Sequence, residues 1–238
     1  MFAAAAALLC ANKPDPYLSS VVALLHMNGA NNGTTFTDQI GHTFTANGDA
    51  KTATDISKFN GSDGKFDGSG DYLTTPHASA FDLHSGDWTI ECWIYLQATT
   101  AGNQDLIQKD GVFGSSFSQY ELSVNSSGKL RGSLGTGNGT SSSQTFTGTT
   151  TITQNAWHHV AMVRFGSLCL GFLDGGLEWS TTITATITDG GKALYIGYQQ
   201  GQPSSSYFNG RMAEVRITKG VARYTAAFNP PAVAFPDS

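Results

Sequence analysis

Residues Trp88 to Leu96, WTIECWIYL, set aromatic and β-branched side chains on both faces of an alternating pattern. Such a stretch fits a pleated surface covered on both sides, so it predicts a central strand of a two-sheet sandwich. Working outward, Trp157 to Phe165 and Leu168 to Asp174 form a pair around Gly166-Ser167, and Asp174-Gly175 signals a hairpin into Leu177 to Ser180. Lys192 to Tyr198 and Tyr207 to Thr218 supply the last long strands. Upstream, Val21 to Met27 is an apolar run of strand length, followed by the turn chemistry of MNGANNG. Thr34 to Thr45 and Lys51 to Ile56 are short strands around Asn47-Gly48-Asp49, and His77 to Phe81 forms one helical turn. Phe66 to Leu73, FDGSGDYL, is expected to be a hairpin or bulge. Asp105 to Lys109, Gln119 to Val124 and Lys129 to Leu134 continue the series. The polar run Gly135 to Thr151 is either an exposed edge hairpin or a mobile loop. About a dozen short strands at this spacing predict an all-β antiparallel jelly-roll sandwich.

Composition agrees and excludes other classes. In 238 residues there are 28 glycines and only 13% charged side chains, with a net charge of −5. One large β-domain suffices for that length. Lys and Arg never cluster, so no basic footprint for nucleic acid or an anionic membrane exists. No apolar run approaches the ~20 residues that span a bilayer. Residues 1–16 are expected to be an N-terminal arm, 17–226 the sandwich and 227–238 a Pro-rich tail running along the surface, since proline cannot donate to a ladder. The Ala-rich start lacks the basic region of a signal peptide, which makes secretion the weaker alternative. Cys10, Cys92 and Cys169 are widely spaced within apolar stretches and read as buried thiols, although a Cys92–Cys169 bridge between two strands is geometrically possible.

Five ordered segments together resemble the laminin-G and pentraxin-like branch of the concanavalin A-like lectin/glucanase superfamily. They are FDGSGDYL at Phe66 to Leu73, WTIECWIY at Trp88 to Tyr95, WHHVAMVR at Trp157 to Arg164, FLDG at Phe172 to Gly175, and LYIGY followed by FNGRMAEVRITKGVARYT up to Thr225. HMNG near the start, combined with EVRITKGVARYTAAFNPP, resembles versions of the module found in tailed-phage virion proteins. The resemblance implies a virion structural protein of tail fibre, baseplate or capsid surface, assembled in the host cytoplasm. It implies other virion subunits and further copies of this chain as partners, and host surface glycan as a ligand.

Catalysis is the reading the residues disfavour. The chain has four glutamates, Glu91, Glu121, Glu178 and Glu214, none with an acidic neighbour within two positions, so the alternating carboxylate motif of a retaining glucanase is absent. Glu91 and Glu121 could still meet across neighbouring strands. Alternation puts His158 and His159 on opposite faces, which prevents both from holding one metal. Arg164 and Arg216 are expected to pair with Glu91 or Glu214. No cofactor is required. Calcium, which the resemblance brings in through loop carboxylates at one rim, has Asp67, Asp71, Asp105 and Asp110 as candidate ligands. Sugar binding without a metal needs aromatic faces with amides beside them. The candidates are Tyr120, Tyr198, Gln199, Gln200 and Tyr207, the last four in or beside the polar segment YQQGQPSSSY.

Overall fold

The computed structural model describes residues 14–109, 119–135, 143–183, 187, 191–200 and 206–238. Two eight-stranded antiparallel sheets face each other. The front sheet runs, edge to edge, through β14 (Gly176–Thr182), β13 (Leu168–Leu173), β12 (Trp157–Phe165), β7 (Trp88–Leu96), β16 (Asn209–Lys219), β5 (Asp63–Asp67) and β4 (Lys51–Ala53). Its eighth strand, β1 (Val21–Leu25), lies beside residues 215–218 of β16, while β5 flanks residues 209–212 of the same long strand. The back sheet orders β11 (Ser143–Thr151), β10 (Lys129–Gly135), β9 (Tyr120–Val124), β8 (Gln104–Lys109), β15 (Leu194–Ile196), β6 (Tyr72–Thr75), β3 (Thr43–Asn47) and β2 (Phe36–Thr37).

β7 is central as its sequence predicts, paired with β12 on one flank and β16 on the other. Trp88, Ile90, Cys92, Ile94 and Leu96 enter the core, where they meet Ile107, Leu122, Val124, Leu73, Leu194 and Ile196 of the back sheet. Period-2 alternation therefore sends Thr89, Glu91, Trp93 and Tyr95 to the outer side. The sixteen strands among the described residues exceed the dozen expected because pieces as short as β2, β4 and β15 pair too. The helical turn is a 3-10 turn at Ser79–Phe81. Residues 143–151 of the polar run form an edge strand.

Two expectations are corrected. FDGSGDYL is not a hairpin: β5 and β6 belong to different sheets, and the Gly68-Ser69-Gly70 corner carries the chain from one to the other. Gly68 and Gly70 adopt φ of +85° and +82° there, a region that disfavours side chains. Cys92 and Cys169 are buried free thiols. Strand β12 lies between their strands, Cys92 facing Val160 and Cys169 facing Arg164, so they cannot be bridged.

The outer face of the front sheet is itself covered. Pro14 to Ser20 and the segment from Val221 to Ser238 lie over it, tied end to end by the Asp15 N–H donating to the Ser238 carbonyl at 3.2 Å. Tyr224 stacks on Phe228 with centroids 3.6 Å apart, and both pack on Phe172, while Phe235 is buried beside Val21 and Leu24. Under this cover lies an ionic network. Glu91 accepts from Arg216 at 2.8 and 2.9 Å and from Tyr224 at 2.8 Å, and it faces His159 Nε2 at 3.1 Å. Asp15 bridges Arg216 and Arg223.

Candidate functional site

The outer face of the back sheet carries a different surface. On β6 and β15, Leu73, Leu194 and Ile196 point into the core, so Tyr72 and Tyr195 emerge on the outside next to each other. Beyond β15 the chain turns at Gly197, whose φ is +85° and whose missing Cβ leaves room for the Phe66 ring. That turn brings Tyr198 back over the strands, and Tyr207 returns beside it. Tyr198 and Tyr207 stack at 4.4 Å with 12° between planes, and Tyr72 lies 5.1 Å from Tyr198 and 5.9 Å from Tyr195. All four rings are half-buried. Burial, then the neighbouring phenols, raises the hydroxyl pKa of Tyr195 and Tyr207.

A polar row continues from this cluster across the sheet. Register sets Gln108 between Tyr195 and Glu121, with Ser133 and Thr145 beyond. The next row holds Asp105, Ser123, Arg131 and Thr147. Glu121 ties the rows together. Its carboxylate is ion-paired to Arg131, accepts from Ser123 Oγ at 2.8 Å, and accepts from Gln199 Nε2 at 3.4 Å. Asp105 is fully buried, no neighbouring N–H or hydroxyl donates to its carboxyl oxygens, and its hydrogen-bonding neighbour is the Glu121 carboxylate. Burial, reinforced by the charge of Glu121, holds its pKa well above the usual carboxylate range. Gln108, Glu121, Ser123 and Ser133 are buried, so the accessible part of the site is the half-buried tyrosine faces with the Gln199 amide beside them, a pairing that suits the apolar face and the hydroxyl rim of a sugar ring.

The predicted residues divide accordingly. Tyr198, Gln199 and Tyr207 come together, and Gln200 follows them in the same segment. Tyr120 does not join them: it faces the core, fully buried, with its hydroxyl donating to the Phe81 carbonyl at 3.2 Å. Tyr72 and Tyr195 were missed, because alternation marks them as outward only once the sheet assignment of β6 and β15 is known. Glu91 and Glu121 sit in opposite sheets and cannot act as a pair. His158 and His159 do face different partners, Asp174 and Glu91. Arg216 pairs with Glu91 as expected, whereas Arg164 donates to the Gly166 and His84 carbonyls.

The calcium candidates separate too. Asp105 is buried within β8 rather than at a rim, and Asp110 lies outside the described residues. Asp67 and Asp71 approach each other together with Asp49, their carboxylate oxygens within 4.8 Å. Asp71, however, uses both oxygens on backbone N–H groups, those of Asp49 at 2.8 Å and Asp67 at 3.0 Å, and Asp67 accepts from the Ser69 N–H. Calcium needs six to eight oxygens. These three side chains brace the corner and by themselves supply only part of that number. Burial raises the Asp71 pKa to about 6.

Two antiparallel jelly-roll sheets, one with an aromatic and polar outer face, define a lectin-like β-sandwich. Residues 67–223 match the family model of the concanavalin A-like lectin/glucanases superfamily, and the chain belongs to that superfamily. No curated protein matches by sequence. Among solved structures, the binding domain of Paraclostridial Mosquitocidal Protein 1 superposes with a TM-score of 0.65 at 13% identity, over 90% of this chain and 50% of that one. A botulinum neurotoxin type C structure, described by its dependence on two ganglioside molecules for cell entry, gives 0.64 at 15% identity over 85% and 48%. Domain 4 of an extracellular arabinanase from Geobacillus stearothermophilus, in complex with arabinotriose, gives 0.60 at 17% identity over 85% and 94%. The chain thus spans about half the length of the toxin domains it resembles. At these identities the likeness is one of fold.

Proposed function

We propose that this chain is a non-catalytic glycan-binding sandwich whose sugar platform is the tyrosine cluster of the back sheet. The observation that carries the reading is the Tyr198–Tyr207 stack, bordered by Tyr72 and Tyr195, with the Gln199 amide beside it and anchored beneath on the buried Glu121. Ganglioside and arabinotriose in the descriptions of similarly folded proteins support the ligand class. The engagement of Glu121 with Arg131, and of Glu91 with Arg216, supports the absence of hydrolysis, because neither carboxylate is free to act as nucleophile or acid. The finer setting, a surface protein of a tailed-phage virion, rests on the resemblance of HMNG and EVRITKGVARYTAAFNPP, and detection of the chain in purified particles by mass spectrometry tests it.

The testing experiment is a glycan array with the protein displayed multivalently, which amplifies weak single contacts, run with calcium and then with chelator. Binding is expected in both conditions, and Tyr198→Ala is expected to weaken it about tenfold, or about 1.4 kcal/mol. Binding lost with chelator would move the site to a metal. No binding in either condition would remove the glycan reading and leave a structural module.

A further inference from the structure

We propose that Asp105 is a positioning residue for the tyrosine platform, acting through Glu121 to decide whether Gln199 and the Tyr198 segment are held to the sheet. This deepens the glycan-binding reading and rests on it for its consequence, but not for its test.

Asp105 emerges on the outer face of β8 opposite Ser123, fully buried, with no N–H or hydroxyl donating to either oxygen and with the Glu121 carboxylate as its hydrogen-bonding neighbour. A buried carboxyl that no donor reaches is strongly disfavoured as a charge. The charged groups facing it are Glu121 from β9 and Arg131 from β10, and β15 contributes the phenol of Tyr195 opposite Gln108. Two carboxyls in one low-dielectric site cannot both ionise easily. Arg131 decides between them: it is ion-paired with Glu121 and leaves Asp105 without a counter-charge of its own, so Asp105 keeps its proton.

That division matters because the Glu121 carboxylate is divided between two tasks. One oxygen, Oε1, is taken by Arg131 and Ser123, and the other, Oε2, receives the Gln199 amide, one residue from Tyr198. While Asp105 is neutral, it adds no charge beside that carboxylate. When Asp105 loses its proton, a second negative charge appears beside Glu121 with only Arg131 to offset it. The two carboxylates repel, Glu121 shifts, and the hydrogen bond to Gln199 opens. Glycan affinity therefore falls as pH rises through the Asp105 titration, and is full below it.

The test uses the intact, isotopically labelled chain and does not need a glycan. Carboxyl carbon shifts of Asp105 and Glu121 and the Gln199 side-chain amide are followed by NMR from about pH 4 to about pH 9, a span that starts at the ordinary carboxylate value. Asp105 is expected to titrate well above that value, and the Gln199 amide to move with the same midpoint. In Asp105→Asn, which is permanently neutral and nearly isosteric, the Gln199 transition should vanish. An Asp105 that titrates in the ordinary range, or a Gln199 amide indifferent to it, overturns the proposal in the wild type alone. A parallel array at both ends of the pH range should show glycans bound at low pH weakening about tenfold at high pH in the wild type, the equivalent of a one-unit pKa linkage, and little in Asp105→Asn. An array on which nothing binds at any pH defeats the glycan reading while the NMR result still stands or falls by itself. Equal pH dependence in wild type and variant defeats the positioning role alone.

Discussion

At the scale of single residues, Glu91 shows how far burial can be outweighed. Burial alone drives a carboxyl towards neutrality, yet the Arg216 charge and the His159 contact, with Arg223 behind them, pull Glu91 down to about 2. A group whose folded pKa is depressed adds stability above its ordinary value, near 4.5, and loses it as pH falls towards about 2. Acid unfolding of the chain should therefore fall within that window. Removing the carboxylate is worse than protonating it, since Arg216 stays buried with Asp15 as its remaining counter-charge. Glu91→Ala is expected to cost about 3–5 kcal/mol in urea denaturation at neutral pH, and a loss below about 1 kcal/mol, the size of an exposed pair, would show that the network is solvated. The Arg216 pairing was legible from strand placement. The roles of Asp15 and Tyr224 were not, because Asp15 lies 201 residues from Arg216 and Tyr224 lies 133 from Glu91, and no local pattern marks either.

At the scale of elements, the sequence announces strands better than their partners. WTIECWIYL is central because aromatic and β-branched side chains stand on both of its alternating faces, a pattern that suits a strand covered on both sides. FDGSGDYL is ambiguous by the same logic: glycines between two strand-like residues serve a hairpin and a sheet-to-sheet corner equally well, and only the pairing of β5 with β16 and β6 with β15 separates them. The tail is the larger surprise. Its prolines bar it from a ladder, as expected, but it docks by side chains and by single backbone bonds, Phe228 N–H to the Gly175 carbonyl at 3.1 Å and Phe235 N–H to Glu214 at 2.8 Å. Glu214 can receive that bond because it occupies a bulge in β16 with φ of +53°, which re-aims its side chain towards His26 and the tail. Gly175 is the matching requirement in the turn between β13 and β14. It has φ of +76°, and a Cβ there would fall 1.8 Å from the Phe228 carbonyl oxygen. Gly175→Ala is thus expected to lower stability by at least about 1–3 kcal/mol and to open the tail to proteolysis after Arg223. An unchanged melting temperature and an unchanged digest would mean that the tail contributes nothing to the sandwich.

At the scale of the whole molecule, the two outer faces carry opposite burdens. The front face is closed by both ends of the described chain and filled with paired charges, while the back face keeps half-buried tyrosines and a polar row. Substitutions should separate along that line. Asp71→Asn removes a carboxylate that braces the Asn47 to Asp71 corner, so it is expected to lower the melting temperature and leave glycan binding in chelator unchanged; lost binding with intact stability would return the acidic corner to the ligand site. The core between the faces offers its own probe. Burial pushes the Cys169 thiol up to about 12 and that of Cys92 higher still, so neither presents a thiolate to solvent near neutral pH. In a Cys10→Ser background, both should react with a thiol reagent only through unfolding, at one common rate that rises with urea. Cys92 lies on the central strand and Cys169 on β13, next to the edge strand β14. A Cys169 rate well above that of Cys92 would mean that the β13–β14 edge opens by itself, and that the sheets do not unfold as one cooperative unit.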